Sequence, residues 1–319
     1  MKKRVLLSFA SLSLAALLFA SSCAFASSAA KSESHGAATE ASVSTNVPQV
    51  NPYKLEPNVT YDVDLDGDGT TEPLSYLSYT NEGEDSEGMY YSHAVLDLFI
   101  DKDPFWSITD EEWTYNWKVF GFDLADGKTY LLALSVSDSE WTNQALVLTK
   151  DPGTNEMRIL TDLTPLTRSE DAITDNKLGS WSRATALKGA SGQDFTVNWM
   201  IAAMSTGNIS LSITYSITDE GVVLKDSPIS LTEIKEWTSW RDFDVQVSPE
   251  DSAAAFHVSP EEKVTLTEFC VSDNHYYLKC QNEQGQEGWI CDPDEIYSEH
   301  PEGSDLYLMG YFKEALFAG

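Results

Sequence analysis

Short segments in which apolar and polar residues alternate recur along most of this 319-residue chain. They are rich in β-branched and aromatic residues and are bounded by Gly, Asp, Asn or Pro, which is typical of strands joined by tight turns. The clearest examples are AVLDLFI (94–100), TYLLALSV (129–136), ALVLTK (145–150), DFTVNWMI (194–201) and NISLSITYSIT (208–218). Two stretches, 110–117 and 231–240, have a spacing compatible with helices. The pattern predicts an antiparallel, mostly β protein.

Residues 1–26 have the pattern of a secretory signal peptide, with basic residues, an apolar run and then small residues. The run is shorter than a bilayer span, and no later segment is a better candidate, so no transmembrane segment is expected in the mature chain. Two processing sites compete: an A-x-A site at Ala24-Phe25-Ala26, and a site resembling a bacterial lipobox, at which Cys23 would carry the lipid. We expect an extracellular protein, either secreted or lipid-anchored on the outer face of the cytoplasmic membrane.

Residues 27–55 are rich in Ser, Ala and Thr and are predicted to form a flexible tether, because they offer almost no large apolar side chains for burial. The whole chain has 20 Lys and Arg against 51 Asp and Glu, a formal net charge of −31. Once residues 1–26 are removed, no basic run remains to meet phosphate groups, so nucleic acid is not expected as a partner. Cations are the small partners that this charge favours.

The segment DLDGDGTTE (64–72) combines alternating oxygen donors with two glycines that permit a tight curl. The EF-hand pattern does not fit, because position 12 is Pro73 or Ser75 in the two registers that the aspartates allow. A shorter scheme places Ca²⁺ ligands at positions 1, 3, 5, 7 and 9. These positions are Asp64, Asp66, Asp68, the Thr70 carbonyl and Glu72. An unoccupied Asp/Gly-rich turn is the alternative.

This segment resembles the strand-loop-strand calcium motif of FG-GAP and VCBS-type repeats, which implies the same five ligands and a propeller-like or sandwich β-repeat domain over residues 56–247. FGFDLADGKTYLLALSV (120–136) is a weaker copy of the motif, with Ala125 in place of a liganding Asp and Tyr130 in place of Glu72. Residues 184–200 are a candidate third copy. The scaffold is therefore expected to repeat without the metal site.

The C-terminal region, 253–319, has short strands joined by tight turns and ends its second hairpin in Gly288-Trp289-Ile290. It resembles bacterial SH3-like domains, which implies a small barrel that binds an extended ligand in a shallow aromatic groove. Strand alternation predicts that Tyr276 and Trp289 share one face and that Tyr277 lies on the other. The groove candidates are Tyr276, Tyr277, Trp289 and Tyr297. Cys270, Cys280 and Cys291 lie on three successive predicted strands, and their disulfide pairing is left open.

No established catalytic motif is present among the five histidines, the cysteines or the serines. A Cys nucleophile with His275 and a carboxylate pair within 110–112 are the weak enzymatic candidates. Trp113 with Trp117, and Trp237 with Trp240, have a spacing that suits either sugar stacking or one buried helical face. We expect a non-catalytic surface protein that binds cell-wall polymer, glycan or another surface protein. The alternative is a secreted cell-wall or glycan hydrolase that uses unassigned carboxylates.

The two processing sites predict different products. A lipoprotein should partition into detergent and should lose that behaviour in the Cys23→Ala variant. Cleavage at the A-x-A site should instead release a soluble protein that begins at Ser27. Detergent phase partitioning combined with amino-terminal sequencing distinguishes the two, and detergent partitioning that survives Cys23→Ala would exclude lipidation at this residue.

Overall fold

The computed structural model describes residues 50–84, 86, 88–111, 114–137, 140–152, 154, 156–164, 182–273, 275–293, 298–299 and 308–315. These residues form an all-β structure of antiparallel sheets, which confirms the predicted mostly β class. They contain no helix long and apolar enough to cross a membrane. The signal peptide, Cys23, Tyr297 and most of the predicted tether lie outside them.

The first two sheets are antiparallel meanders in chain order. The chain begins with β1 (Tyr53–Lys54), an edge strand of the second sheet, before it forms the first. Sheet A consists of β2 (Tyr61–Val63), β3 (Glu72–Glu84), β4 (Tyr90–Ile100) and β5 (Asp103–Asp110). Sheet B consists of β6 (Asn116–Asp123), β7 (Thr129–Val136), β8 (Thr142–Lys150) and β9 (Met157–Asp162), with β1 paired to β6.

Two further sheets complete the described core. Sheet C is another meander, of β10 (Ser182–Ser191), β11 (Asp194–Ala203), β12 (Gly207–Thr218) and β13 (Gly221–Leu224). Sheet D contains β14 (Ile229–Ser230), β15 (Glu236–Thr238), β16 (Phe243–Ser248), β17 (Asp251–Val258), β18 (Lys263–Ser272), β19 (His275–Asn282) and β20 (Glu287–Cys291). A short pair, β21 (Ser298–Glu299) and β22 (Leu308–Met309), lies outside these sheets.

Sheet B is the middle layer, because both of its faces are buried. On β7, Leu131 and Ala133 pack into the core shared with sheet A, and Leu132 and Leu134 pack into the core shared with sheets C and D. Every residue of β7 is buried as a result. A strand covered on both sides needs no polar face, which explains why TYLLALSV is almost continuously apolar.

The five predicted strand segments all lie in strands, within β4, β7, β8, β11 and β12. The two predicted helices are wrong. Residues 110–117 contain the end of β5 and the start of β6, and residues 231–240 contain β15, which pairs with β18. The second segment lacks a helical apolar stripe, because Ile234 is 63% exposed.

Two of the four predicted tryptophans, Trp117 and Trp237, serve core packing, whereas Trp240 is half-buried with the Arg241 guanidinium 5.7 Å from its ring centroid. Trp117 is buried between sheets A and B, and its Nε1–H donates to the Ala94 carbonyl at 3.0 Å. Trp237 is buried against Phe312, with ring centroids 5.4 Å apart. Neither ring face is available to stack on a sugar, and Trp113 lies outside the described residues.

Two structural observations concern the boundaries of the predicted domains, 56–247 and 253–319. Tyr53 and Leu55 are buried, so the folded part begins before residue 56. Sheet D contains strands from both predicted domains, since β16 pairs with β17 in the register Phe243↔Val258. Residues from both predicted domains therefore belong to one sheet and to one core.

Asp292 connects sheet D to the turn between β11 and β12. Its carboxylate, 7% exposed, accepts hydrogen bonds from the Met204 N–H (2.7 Å), the Ser205 N–H (2.8 Å) and the Ser205 hydroxyl (2.6 Å). Both donor residues are buried as well. A carboxylate that satisfies several buried donors is costly to remove, because each orphaned donor loses its hydration without a replacement.

We predict that Asp292→Ala lowers the free energy of unfolding by about 2 to 5 kcal/mol, since it orphans two buried backbone N–H groups. Asp103→Ala is the matched control, because Asp103 is exposed; it should change stability by no more than about 0.5 kcal/mol. Denaturant unfolding of both variants measures the difference. Equal stabilities would show that Asp292 contributes nothing to the attachment of sheet D.

Candidate functional site

The loop between β2 and β3 is held in a tight curl by its own carboxylates. The Asp64 carboxylate accepts the N–H groups of Gly67 (2.7 Å) and Gly69 (2.8 Å). Both glycines have positive φ, 77° and 85°, a conformation that other residues adopt only with strain. At the end of the loop, Glu72 Oε2 accepts the Leu65 N–H at 2.9 Å. The local sequence therefore preorganises the acidic side chains.

Three of the predicted ligands converge. Asp64, Asp66 and Glu72 each offer a carboxylate oxygen, and these oxygens lie within 4.8 Å of one another. We call these three residues the carboxylate cluster. Asp68 is exposed and outside the cluster, and its Oδ1 accepts the Thr70 N–H at 2.7 Å. The geometry brings together three side chains that could hold a cation, with Asp68 and Thr70 in the adjoining turn.

A residue that the motif did not predict completes the site. Lys150, at the end of β8, has an 8% exposed side chain, and its Nζ lies 2.8 Å from Asp66 Oδ2. The same ammonium also forms an ion pair with Glu72. Lys150 is the last residue of β8, a strand with buried residues on both faces. A lysine at the end of such an apolar run is a sequence signal that a carboxylate is buried beside it.

The Lys150 ammonium and the Asp66 carboxylate shift each other's pKa. The hydrogen bond from Lys150 is the main reason that the pKa of Asp66 lies below its usual value. Burial alone would lower the pKa of Lys150, but its hydrogen bonds to Asp66 and Glu72 outweigh that effect and raise it. By formal charge, the three carboxylates of the cluster face one ammonium.

The segment predicted to be a weaker copy of the motif, 120–136, lies against this loop. The turn between β6 and β7 packs on it, with the Thr129 N–H donating to the Asp64 carbonyl at 2.6 Å. The same turn reaches the β10–β11 turn through a 2.7 Å bond from the Ala125 N–H to the Gly192 carbonyl. Tyr130, in the position of Glu72, donates its hydroxyl to Asp126 at 2.7 Å. The three predicted copies thus form three adjoining turns.

The aromatic residues of sheet D are arranged differently from the prediction. β19 and β20 pair Lys279 with Trp289, and Tyr277 with Cys291, so Trp289 shares a face with Tyr277. Tyr276 lies on the opposite face, in the core. The predicted face assignment was wrong because the β19–β20 turn sets the register between strands, which alternation within one strand does not determine. Tyr276 and Tyr277 are both buried, and Trp289 is half-buried.

Two of the three thiols, those of Cys270 and Cys280, do not have the properties of an activated nucleophile. No disulfide joins Cys270, Cys280 and Cys291. Burial raises the pKa of the Cys270 thiol to about 11 and that of Cys280 to about 12, whereas catalysis needs a lowered thiol pKa. The His275 ring Nδ1 lies 2.7 Å from the Asp273 carbonyl oxygen.

Within the acidic run at 110–112, Asp110 is buried and Glu111 is exposed. Asp110 is 1% exposed, and its carboxylate accepts a hydrogen bond from the Ser135 hydroxyl. This leaves Asp110 with a packing role between β5 and β7.

Comparisons of the chain with family models, with curated proteins and with solved structures found no match. The site is therefore interpreted from its own chemistry.

We predict that Lys150→Met lowers the free energy of unfolding by about 3 kcal/mol at pH 7, because it removes the buried ammonium and leaves the carboxylates facing one another. The methionine keeps most of the apolar volume. Lys188→Met removes an exposed ammonium and is the matched control, with an expected effect within about 0.5 kcal/mol.

The pH dependence of that difference tests its cause. The folded-state pKa of Asp66 is lowered in the parent, so the stability it contributes is present at neutral pH and is lost as pH falls through that pKa. In the variant, protonation instead relieves repulsion among the carboxylates. The gap between parent and Lys150→Met should shrink below about pH 4 in denaturant unfolding. A gap independent of pH would mean that Lys150 acts through packing alone.

Proposed function

We propose that this is a non-catalytic extracellular binding protein whose carboxylate cluster takes up Ca²⁺ in exchange for the Lys150 ammonium. The observation that carries the proposal is the convergence of three carboxylate oxygens within 4.8 Å on a preorganised loop. The resemblance of this loop to FG-GAP and VCBS-type calcium motifs supports the choice of metal.

The charge balance favours exchange. One ammonium neutralises one of three negative charges, so the cluster keeps a net charge of −2 that a divalent cation matches. Hard carboxylate and carbonyl oxygens are the ligands that Ca²⁺ takes in proteins, and Asp68 and Thr70 lie close enough in the chain to add to them. The long flexible stem of a lysine allows its ammonium to leave without a change in the strand. Lys150 would therefore hold the loop in shape when calcium is scarce.

Binding rather than turnover is supported by the state of the candidate catalytic groups. Cys270 and Cys280 are buried thiols with raised pKa values, and Asp110 is engaged in packing. The face of sheet D that carries Trp289 is the candidate contact for cell-wall polymer, glycan or a surface protein. Secretion or lipid attachment would place that face outside the cell.

We predict a calcium dissociation constant on the order of 10⁻⁴ to 10⁻³ M for the parent, as in extracellular modules. Calcium at about 1 mM should then add about 0.4 to 1.4 kcal/mol to the free energy of unfolding. Lys150→Met should bind calcium at least tenfold more tightly, since the competing ammonium is gone, and Asp66→Ala should not bind measurably. Calorimetric titration and denaturant unfolding in calcium and in chelator measure these effects.

Asp103→Ala serves as the control for the loss of one negative charge and should bind calcium like the parent. If neither the parent nor Lys150→Met binds calcium, Lys150 is the permanent cation of the cluster and the calcium part of the proposal fails. Equal affinities in those two proteins would instead exclude exchange.

A further inference from the structure

A cavity of about 380 Å³ opens between sheets B and C, beside the β6–β7 turn. Its apolar wall is formed by Leu124, Leu160 and Ile217. Its polar lining includes Thr149, Lys128 and Asp219. The volume lies in the range of small-molecule sites, which combine apolar walls with a few polar groups that fix orientation.

Thr149 is the polar group that most needs an explanation. It is 3% exposed, and its hydroxyl has no hydrogen-bond partner within the described part of the chain. On β8, Val147 packs into the core with sheet C, so the two-residue period turns Thr149 toward the same side and Lys150 toward the carboxylate cluster. A buried hydroxyl without a partner is unfavourable, and here it lines a cavity. The Thr149 hydroxyl is therefore placed to form a hydrogen bond with a ligand in the cavity.

Two side chains of opposite charge, Lys128 and Asp219, line the cavity and do not form an ion pair with each other. Lys128 comes from the β6–β7 turn of sheet B, and Asp219 from the β12–β13 turn of sheet C. Neither side chain forms an ion pair with another residue that the structure describes. The other charged lining residues are already engaged: Arg158 is 3.3 Å from Asp151, and Asp126 accepts the Tyr130 hydroxyl. A hydrogen bond from a neutral hydroxyl does not neutralise Asp126, so the charges of the lining without an ion pair in the described part of the chain are the Lys128 ammonium and the carboxylates of Asp126 and Asp219.

We propose that this cavity binds a small zwitterion of the amino-acid class with an apolar side chain. The ligand carboxylate would take the Lys128 ammonium and the Thr149 hydroxyl, and the ligand ammonium would take Asp219. Leu124, Leu160 and Ile217 would contact the apolar side chain. An uncharged sugar leaves both charges unmatched, and a simple anion leaves Asp219 facing it. This site goes beyond the proposed function, because Thr149 lines it from the opposite face of β8 to the one that carries Lys150. Lys128 is the residue that lies near both sites, since its stem packs on Gly67 of the β2–β3 loop.

The decisive experiment is a calorimetric titration of the full-length mature protein with L-alanine, L-valine, L-leucine and L-methionine at millimolar concentrations. For the amino acid that binds best, the matching amine without the carboxylate and the matching acid without the ammonium are titrated alongside, together with glucose. We expect each truncated analogue to bind at least about tenfold more weakly, because each loses one charged hydrogen-bonding partner. Binding by none of the amino acids overturns the proposal, and so does equal binding by an analogue or by glucose.

Two variants assign the binding to this cavity. Thr149→Val keeps the shape of the side chain and removes the hydroxyl; it should weaken binding about tenfold while leaving the ligand-free stability unchanged or slightly higher, since no protein hydrogen bond is lost. Lys128→Met keeps the stem that packs on Gly67 and should weaken binding by at least the same factor. The matched controls, Thr185→Val and Lys188→Met on sheet C, should bind like the parent. Parent-like affinity in both cavity variants overturns the assignment, and the analogue series decides the ligand class even if one variant fails to fold.

Discussion

The burial of sheet B on both faces is the constraint on which the rest of the structure depends. A sheet whose central strand, β7, has no exposed residue must be covered twice, and sheet A covers one face while sheets C and D cover the other. The hydrophobic effect therefore fixes the order of layers before any polar contact is considered. The carboxylate cluster and the cavity both lie at the end of β8, where this layered core stops.

Two neighbouring residues at the end of β8 belong to two different sites. Thr149 and Lys150 are neighbours in sequence, but the pleat sends them to opposite faces of sheet B. The Thr149 side chain lines the cavity. The Lys150 side chain, which is 8% exposed, forms ion pairs with Asp66 and Glu72. In a chain with a net charge of −31, the location of a buried lysine marks where the fold has brought carboxylates together.

Sequence reasoning succeeded where the determinant is local. The strand at 129–136 was predictable because its composition reflects its own burial, and three of the five predicted ligands converge because the loop curls through its own glycines. It failed where the determinant is distant. Lys150 lies 84 residues from Asp66, and no local pattern pairs them. The face of Trp289 depends on a register between strands. The spacing of Trp237 and Trp240 imitated a helix, because two aromatic residues alone do not define a period.

Hydrogen bonding between three adjoining turns constrains how the protein can vary. Backbone hydrogen bonds join the β2–β3 loop to the β6–β7 turn, and that turn to the β10–β11 turn. Surface turns ordinarily tolerate insertions, because their backbone groups can be hydrated in any conformation. Here a change of length in one turn would misplace the donors and acceptors of the next. Variation in length should therefore accumulate at the far end of sheet A, where Met89 and Tyr90 of the β3–β4 hairpin are 64% and 48% exposed.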